Sequence, residues 1–436
     1  MSLPTGGPGS ADEFNFTNLL AGVEFPEMAV VRLNLPVTEP VDLTRRVPDA
    51  VRSLVDASGL PAGTTVAVAA GSRGISNISI ILRLVVKTLQ EAGLQPYVVA
   101  AMGSHGGGTV AGQEEILAVL GITEESIGAP VRVTADAVLL GHTASGLPVY
   151  CDAEAAAAGA VLVVNRIKPH TSFQGEIGSG LCKMLAVGLG KKEGAAVVHG
   201  RGPAGMEEAI TSIARFMLDR LPVMGGLAIL EDGYDRTARV TALPPGDWPE
   251  QERSLYSEAV SYLPRLPFAD VDLLIVDEMG KNISGTGMDT NVLGRWRTGG
   301  PEPPGLRAGR VVVLRLHPAS HGNANGVGLA DVTTRALAEA VDFPATYLNA
   351  LTSTFVERVK LPMVMPTEKL AIAAALKTLG TGLIRAVRIK NTRELEHIAV
   401  SPPLLAELAE SHEQVTPVAP MQFSDDGRLL DPTDGW

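Results

Sequence analysis

Apolar residues along this chain fall into two alternating arrangements. Short unbroken runs at Thr65–Ala70, Tyr97–Ala101, Val161–Asn165 and Leu227–Leu230 have the length of strands buried on both faces. Between them lie longer stretches with apolar residues three and four apart. Ser76–Ala92 is the clearest, with Ile80, Ile81, Leu84 and Val85 at helical spacing and Gly93 as a stop. Gln113–Leu120 and Ala204–Leu221 read the same way. Strand, loop and helix in repeated order predict a mainly parallel sheet covered by helices.

A second series follows the proline-spaced segment Tyr262–Phe268. It holds strands at Val271–Val276, Val311–Leu316 and Ile384–Ile389, with helices near Ala330–Val341 and at Glu368–Leu379. The predicted fold class is α/β, with two domains, each a mainly parallel sheet flanked by helices, and an active-site cleft between them. The boundary falls near residue 266. An N-terminal, cofactor-binding domain covers 1–265, a C-terminal, substrate-covering domain covers 266–404, and the tail 405–436 is free to rejoin the first domain. Residues 1–15, rich in Gly, Ser and Pro, are expected to be poorly ordered.

Composition narrows the function. Lys and Arg total 36 against 48 Asp and Glu, a net charge of -12, which argues against nucleic acid as a partner. An anionic substrate would need a local cluster of cations. Cys151 and Cys182 supply neither a disulfide framework nor a CxxC metal knuckle. The start lacks a signal-peptide pattern, and the most apolar stretch, near Ala155–Val164, is shorter than the ~20 residues that span a bilayer. A cytoplasmic protein without a membrane partner is expected.

Common motifs are missing. Gly188, Gly190 and Gly194 are spaced one residue too long for the dinucleotide fingerprint, and Gly280-Lys281-Asn282 lacks the rest of a P-loop. What remains is a set of polar, glycine-rich loops at strand ends, where parallel sheets bind ligands. Gly71-Ser72-Arg73-Gly74 follows one strand, and Gly103-Ser104-His105 with Gly106 and Gly107 follows the next. The third strand leads to Lys168-Pro169-His170-Thr171, Ser179, Lys183 and then His199. Histidine can serve as base in one direction and acid in the other. His105 and His170 are candidates for that pair, although a lone histidine is more often structural. Lys183, among small and apolar residues, is either a packed loop lysine or an amine made nucleophilic by burial.

At these residues the chain resembles the nickel-dependent lactate racemase family, which racemises or epimerises 2-hydroxy acids. The resemblance rests on GSHGGGT around His105, PHT at His170, Lys183 and His199, and is densest from Gly71 to His199. It implies a nickel-pincer nucleotide, a pyridinium mononucleotide holding nickel through two sulfurs and a ring carbon, made by cofactor-biosynthesis proteins. By the same resemblance Lys183 carries that group through a thioamide, and His199 is the protein's nickel ligand. Gly106, Gly107 and Ser179 would line the nucleotide. His105 and His170 match the acid–base pair, and Arg73 matches the substrate-binding arginine. Lys281 matches a substrate-binding lysine, with Glu278 standing where the family has glutamine. These two also read as a plain surface pair, and His321 is a further candidate in a polar loop. Gly106 replaces the arginine of lactate-specific members, which leaves the identity of the 2-hydroxy acid open and room for a bulkier one. A dehydrogenase using a free nicotinamide nucleotide and a non-catalytic cofactor carrier are the alternatives. The missing fingerprint argues against the first, and the presence of both His105 and His170 against the second.

Overall fold

The computed structural model describes residues 16–72, 74–380, 382–408 and 412–432. Arg73 and the segment 1–15 therefore lie outside the described residues. Two large sheets organise the rest. The first has the strand order Val131–Arg132, Gln95–Ala100, Thr65–Ala70, Ala160–Arg166, Val223–Glu231, Thr237–Leu243. Its first five strands run parallel and the last is antiparallel. Val66, Val68, Leu162 and Val164 point into one core, and Ala67, Ala69, Val161 and Val163 into the core on the opposite face. Burial on both faces is why these strands read as unbroken apolar runs rather than as alternating ones.

The second sheet has nine strands. Asp270–Met279 pairs in parallel with Arg307–Leu316 on one side and Ala386–Ile389 on the other, and Val332–Thr334 and Met363–Met365 extend it in parallel to one edge. On the other side His397–Val400 and Glu27–Arg32 add in antiparallel fashion, with Ala29 opposite Val400. Glu413–Gln414 and Ala419–Pro420 then pair with Glu27–Arg32.

Sheet membership thus departs from a single cut near residue 266. The strand Glu27–Arg32 joins the second sheet although it precedes the whole first sheet. The tail stays with that same sheet instead of returning to the first. Val30 and Val31 enter the two cores of the second sheet, and pairing satisfies backbone groups that an open edge would leave bare. The helix expected near Ala330–Val341 is also shorter, because Val332–Thr334 is a buried strand and only Arg335–Glu339 is helical. The Thr334 hydroxyl accepts from Leu337 N and starts that helix. Among the described residues no helix is long and apolar enough to cross a membrane.

Candidate active site

The strand Ala160–Arg166 runs out into the loop that carries His170. Lys168 and Ser179 close this loop with two backbone hydrogen bonds of 2.8 Å, which folds His170 back toward Lys183. His170 Nε2 lies 2.9 Å from Lys183 Nζ. On its other side the ring accepts from Ser172 N at Nδ1, 3.2 Å away, and it stacks on Phe173 at 4.3 Å between centroids. Ser179 Oγ stands 3.5 Å from the same amine.

Beyond Lys183 the backbone passes through a π-helical stretch, Met184–Leu189, into the helix Lys191–His199. Such stretches recur at functional sites because the wider turn re-aims the residues that follow. A Cβ at Gly188 would sit 2.8 Å from Ala101 O, and one at Gly190 would overlap Ala186 O. These glycines serve close packing of the segment that joins Lys183 to His199. At its end His199 Nδ1 is buried with no hydrogen-bond partner among the described residues. Burial, helped by Lys183, pushes His199 down to about 4. Burial also holds His170 well below its usual range, with Lys183, His199, Arg358 and Lys168 adding to the effect. Both rings are neutral near pH 7, the state that can accept a proton or bind a metal.

His105 sits on the turn after Gln95–Ala100, hydrogen-bonded through Nδ1 to Ser72 Oγ. Gly106 and Gly107 adopt φ of 63° and 68°, a left-handed backbone that favours glycine. A Cβ on Gly106 would overlap the Gly112 backbone, whereas Gly107 has space. Glycine at 106 therefore answers to packing against the helix Val110–Val119. Gly103 N donates to Gly188 O at 3.0 Å, tying the His105 turn to the Lys183–His199 segment.

Three supporting residues were not evident from the sequence. Lys191 is buried and held at φ 56°. Its Nζ lies 3.2 Å from Asp152 Oδ2 and donates to Ala100 O and to Gln113 Oε1, at 3.1 and 2.9 Å. Gln113 in turn donates to the carbonyls of Gly103 and His105. Glu252 is fully buried under the start of the Lys183–His199 segment, accepts from Cys182 N at 2.9 Å, and would overlap a Cβ on Gly180. Burial raises its carboxyl to about 7. Its one signal in the sequence was an acid on a buried helical face, between Trp248 and Leu255. Arg358, from the second sheet's side of the chain, is buried against Thr171 and Ser172, and Phe355 enters a core of the first sheet. Thr290 Oγ1 donates to Thr171 O at 2.9 Å, and Lys168 Nζ lies 3.7 Å from Asp289. Contacts from the second sheet's side of the chain thus reach the loop of His170.

The other candidates stand apart from this group in the contacts described. Lys281 Nζ donates to Gly285 O and Asn349 Oδ1, at 2.6 and 2.5 Å, and Glu278 accepts from Asn391 at 3.3 Å. His321 is exposed, at φ 47°. A groove of about 560 Å³ lies elsewhere, lined by Tyr234, Asp235, Lys390, Arg393 and neighbours, and contains none of the candidate residues.

The family described as the lactate racemase N-terminal domain matches residues 48–201, the stretch that holds His105, His170, Lys183 and His199. This part of the chain resembles a lactate racemase N-terminal domain. Over that stretch the chain is similar to the lactate racemase family. Its fold resembles that of the lactate racemase apoprotein from Thermoanaerobacterium thermosaccharolyticum, with a TM-score of 0.50 at 11% identity, over 84% of this chain and 94% of that one. A protein from Thermotoga maritima aligns with a TM-score of 0.48 at 12% identity, over 73% of this chain and 84% of that one. No curated protein matches the sequence. The mainly parallel, helix-flanked sheets of this lactate racemase-like chain agree with the fold class expected from the sequence.

Proposed function

We propose that this chain inverts the configuration at C2 of a small 2-hydroxy acid, with a nickel-pincer nucleotide joined to Lys183. The observation that carries the reading is the meeting of His170 and Lys183 at 2.9 Å, with the orphaned Nδ1 of His199 at the far end of the same segment, in the stretch that resembles a lactate racemase N-terminal domain. These residues fit such a group. Lys183 offers an amine for attachment, and His199 offers one neutral imidazole to a metal whose remaining donors the nucleotide brings. When bound, the group supplies the position at which the C2 hydride is taken up and given back.

The chain's own residues do the rest. His105 and His170 hold or move the proton of the substrate hydroxyl, one serving each enantiomer, because the two enantiomers present that hydroxyl from opposite sides. Ser72 orients His105, and Ser172 N and Phe173 orient His170. Arg73 is the cation for the substrate carboxylate. The site is that of an isomerase working in the cytoplasm on a freely diffusing acid.

The test is to incubate single enantiomers of 2-hydroxy acids of increasing size with the loaded protein and follow them by chiral chromatography. Inversion without net oxidation supports the proposal. Accumulation of the 2-keto acid with consumption of a nicotinamide nucleotide would make the protein a dehydrogenase instead.

A further inference from the structure

The loop from His170 to Lys183 carries Gly175, Gly178 and Gly180, and each lies where a side chain has no room. A Cβ on Gly175 would overlap the Glu207 carboxylate, and one on Gly180 the Glu252 carboxylate. A Cβ on Gly178 would sit 2.9 Å from the Tyr256 ring and 2.9 Å from His170 N. None of the three has a left-handed backbone, so glycine here answers to the close approach of these groups.

The two acids use that approach to hold backbone donors of the loop. Glu207, on the helix Gly202–Arg220, accepts at Oε1 from Glu176 N and Ile177 N, at 2.7 and 3.1 Å. Glu252, on the helix Trp248–Ser261, accepts at Oε2 from Cys182 N at 2.9 Å. The spacings match. Glu252 and Tyr256 are four apart on one helix face, about 6 Å along its axis. Gly180 and Gly178 flank the bridged Ser179, and two residues of extended chain rise about 6.6 Å. Each glycine thus meets its own partner on that helix. Phe173 and Ile177 are buried in one core with Met206 and Leu255, which pins the loop from inside.

We infer that Glu207 and Glu252 are positioning residues of the site, two acid clamps that act through the backbone of this loop to set His170 against Lys183. The inference deepens the proposed function and rests on its reading of His170 and Lys183 as members of one site. Without a clamp, the N–H groups of Glu176 and Ile177, or of Cys182, lose their acceptor. The 2.9 Å approach of His170 Nε2 to Lys183 Nζ is then no longer fixed. A misplacement of about 1 Å can cost on the order of a hundredfold in rate, so the effect falls on turnover.

The experiment compares Glu207→Ala and Glu252→Ala with Glu207→Gln and Glu252→Gln in the full chain. Glutamine keeps an oxygen that accepts from the same N–H groups. The first readout needs neither cofactor nor substrate. Nitrogen NMR of the histidine-labelled chain, with His170 assigned from His170→Gln, should show the His170 ring signals shifted in the alanine variants. Those of His321 and His397 should stay in place, and the glutamine variants should keep the original His170 signals. Unshifted His170 signals in either folded alanine variant would overturn the inference, as would a glutamine variant shifted as far as its alanine counterpart. Where Glu252→Ala fails to fold, Glu207→Ala decides the matter, since Glu207 is only partly buried.

The second readout is inversion of a 2-hydroxy acid by the loaded protein. In the alanine variants kcat should fall at least about tenfold with KM little changed, and the glutamine variants should recover it. A raised KM with kcat intact would overturn the positioning role. If the unaltered loaded chain inverts no 2-hydroxy acid, the proposed function falls, and the NMR comparison still decides this inference.

Discussion

Arg358 reaches from the second sheet's side of the chain to donate to Thr171 O at 2.8 Å, one residue past His170. The same guanidinium donates to Ser172 Oγ at 3.0 Å and Trp296 O at 2.8 Å, and lies over the Phe355 ring at 4.6 Å. Burial lowers it to about 10, so it remains charged at neutral pH. A planar, multidentate cation fixes the orientation of the loop more rigidly than a lysine would.

Arg358→Ala should therefore cost about 2–4 kcal/mol, from lost charge-assisted hydrogen bonds and carbonyls left without donors. Hydrogen exchange should accelerate at Thr171 and Ser172 while the strand Leu273–Val276 keeps its protection. Unchanged exchange in the loop would remove Arg358 from its positioning role.

The buried Lys191–Asp152 pair predicts a different pattern. Lys191→Met leaves Asp152 buried without its cation and should destabilise the fold by roughly 3–5 kcal/mol. Adding Asp152→Asn should recover much of that loss, since an uncharged amide no longer needs the ammonium. Denaturant melts of the single and double variants measure the difference, and strict additivity would contradict the pairing.

Glu252 makes stability depend on pH. Its carboxyl is raised from 4.5 to about 7 by burial, so between those values the folded chain keeps a proton that the unfolded chain has lost. Stability from this group is full below about 4.5 and declines as pH rises through about 7, by roughly 3 kcal/mol in all. Glu252→Gln retains an acceptor for Cys182 N and should flatten that slope. Melts at pH 5 and pH 8 check it, and a slope equal to that of the unaltered protein would count against the assignment.

The proposed roles of two histidines separate in the loaded protein. His105→Ala should abolish inversion by at least about a hundredfold while nickel stays bound, because general acid–base groups contribute on that scale. His199→Ala should lose nickel first. Metal analysis beside the chiral assay distinguishes them, and nickel loss in the His105 variant would exchange ligand and base.

Much of the first sheet was legible in the sequence because its strands are buried on both faces and read as solid apolar runs. His170, Lys183 and His199 stood out as candidates because they follow one strand end in order, and the structure places His170 Nε2 2.9 Å from Lys183 Nζ. The strand Glu27–Arg32 was not placed, since nothing local to its residues points to a partner as distant as His397–Val400. Arg358 and Lys191 were missed for a related reason. An arginine in a short polar turn and a lysine among glycines look like surface residues until the fold buries them. Gly106 carried the opposite error, since its lack of a side chain suggested space for substrate where the structure has the Gly112 backbone.

The most direct test of the central claim is the intact mass and nickel content of the chain, produced in cells able to make the pincer nucleotide. The account predicts a nucleotide-sized adduct mapped to Lys183 with close to one nickel per chain, both lost in Lys183→Ala. An unmodified, nickel-free chain under those conditions would contradict it.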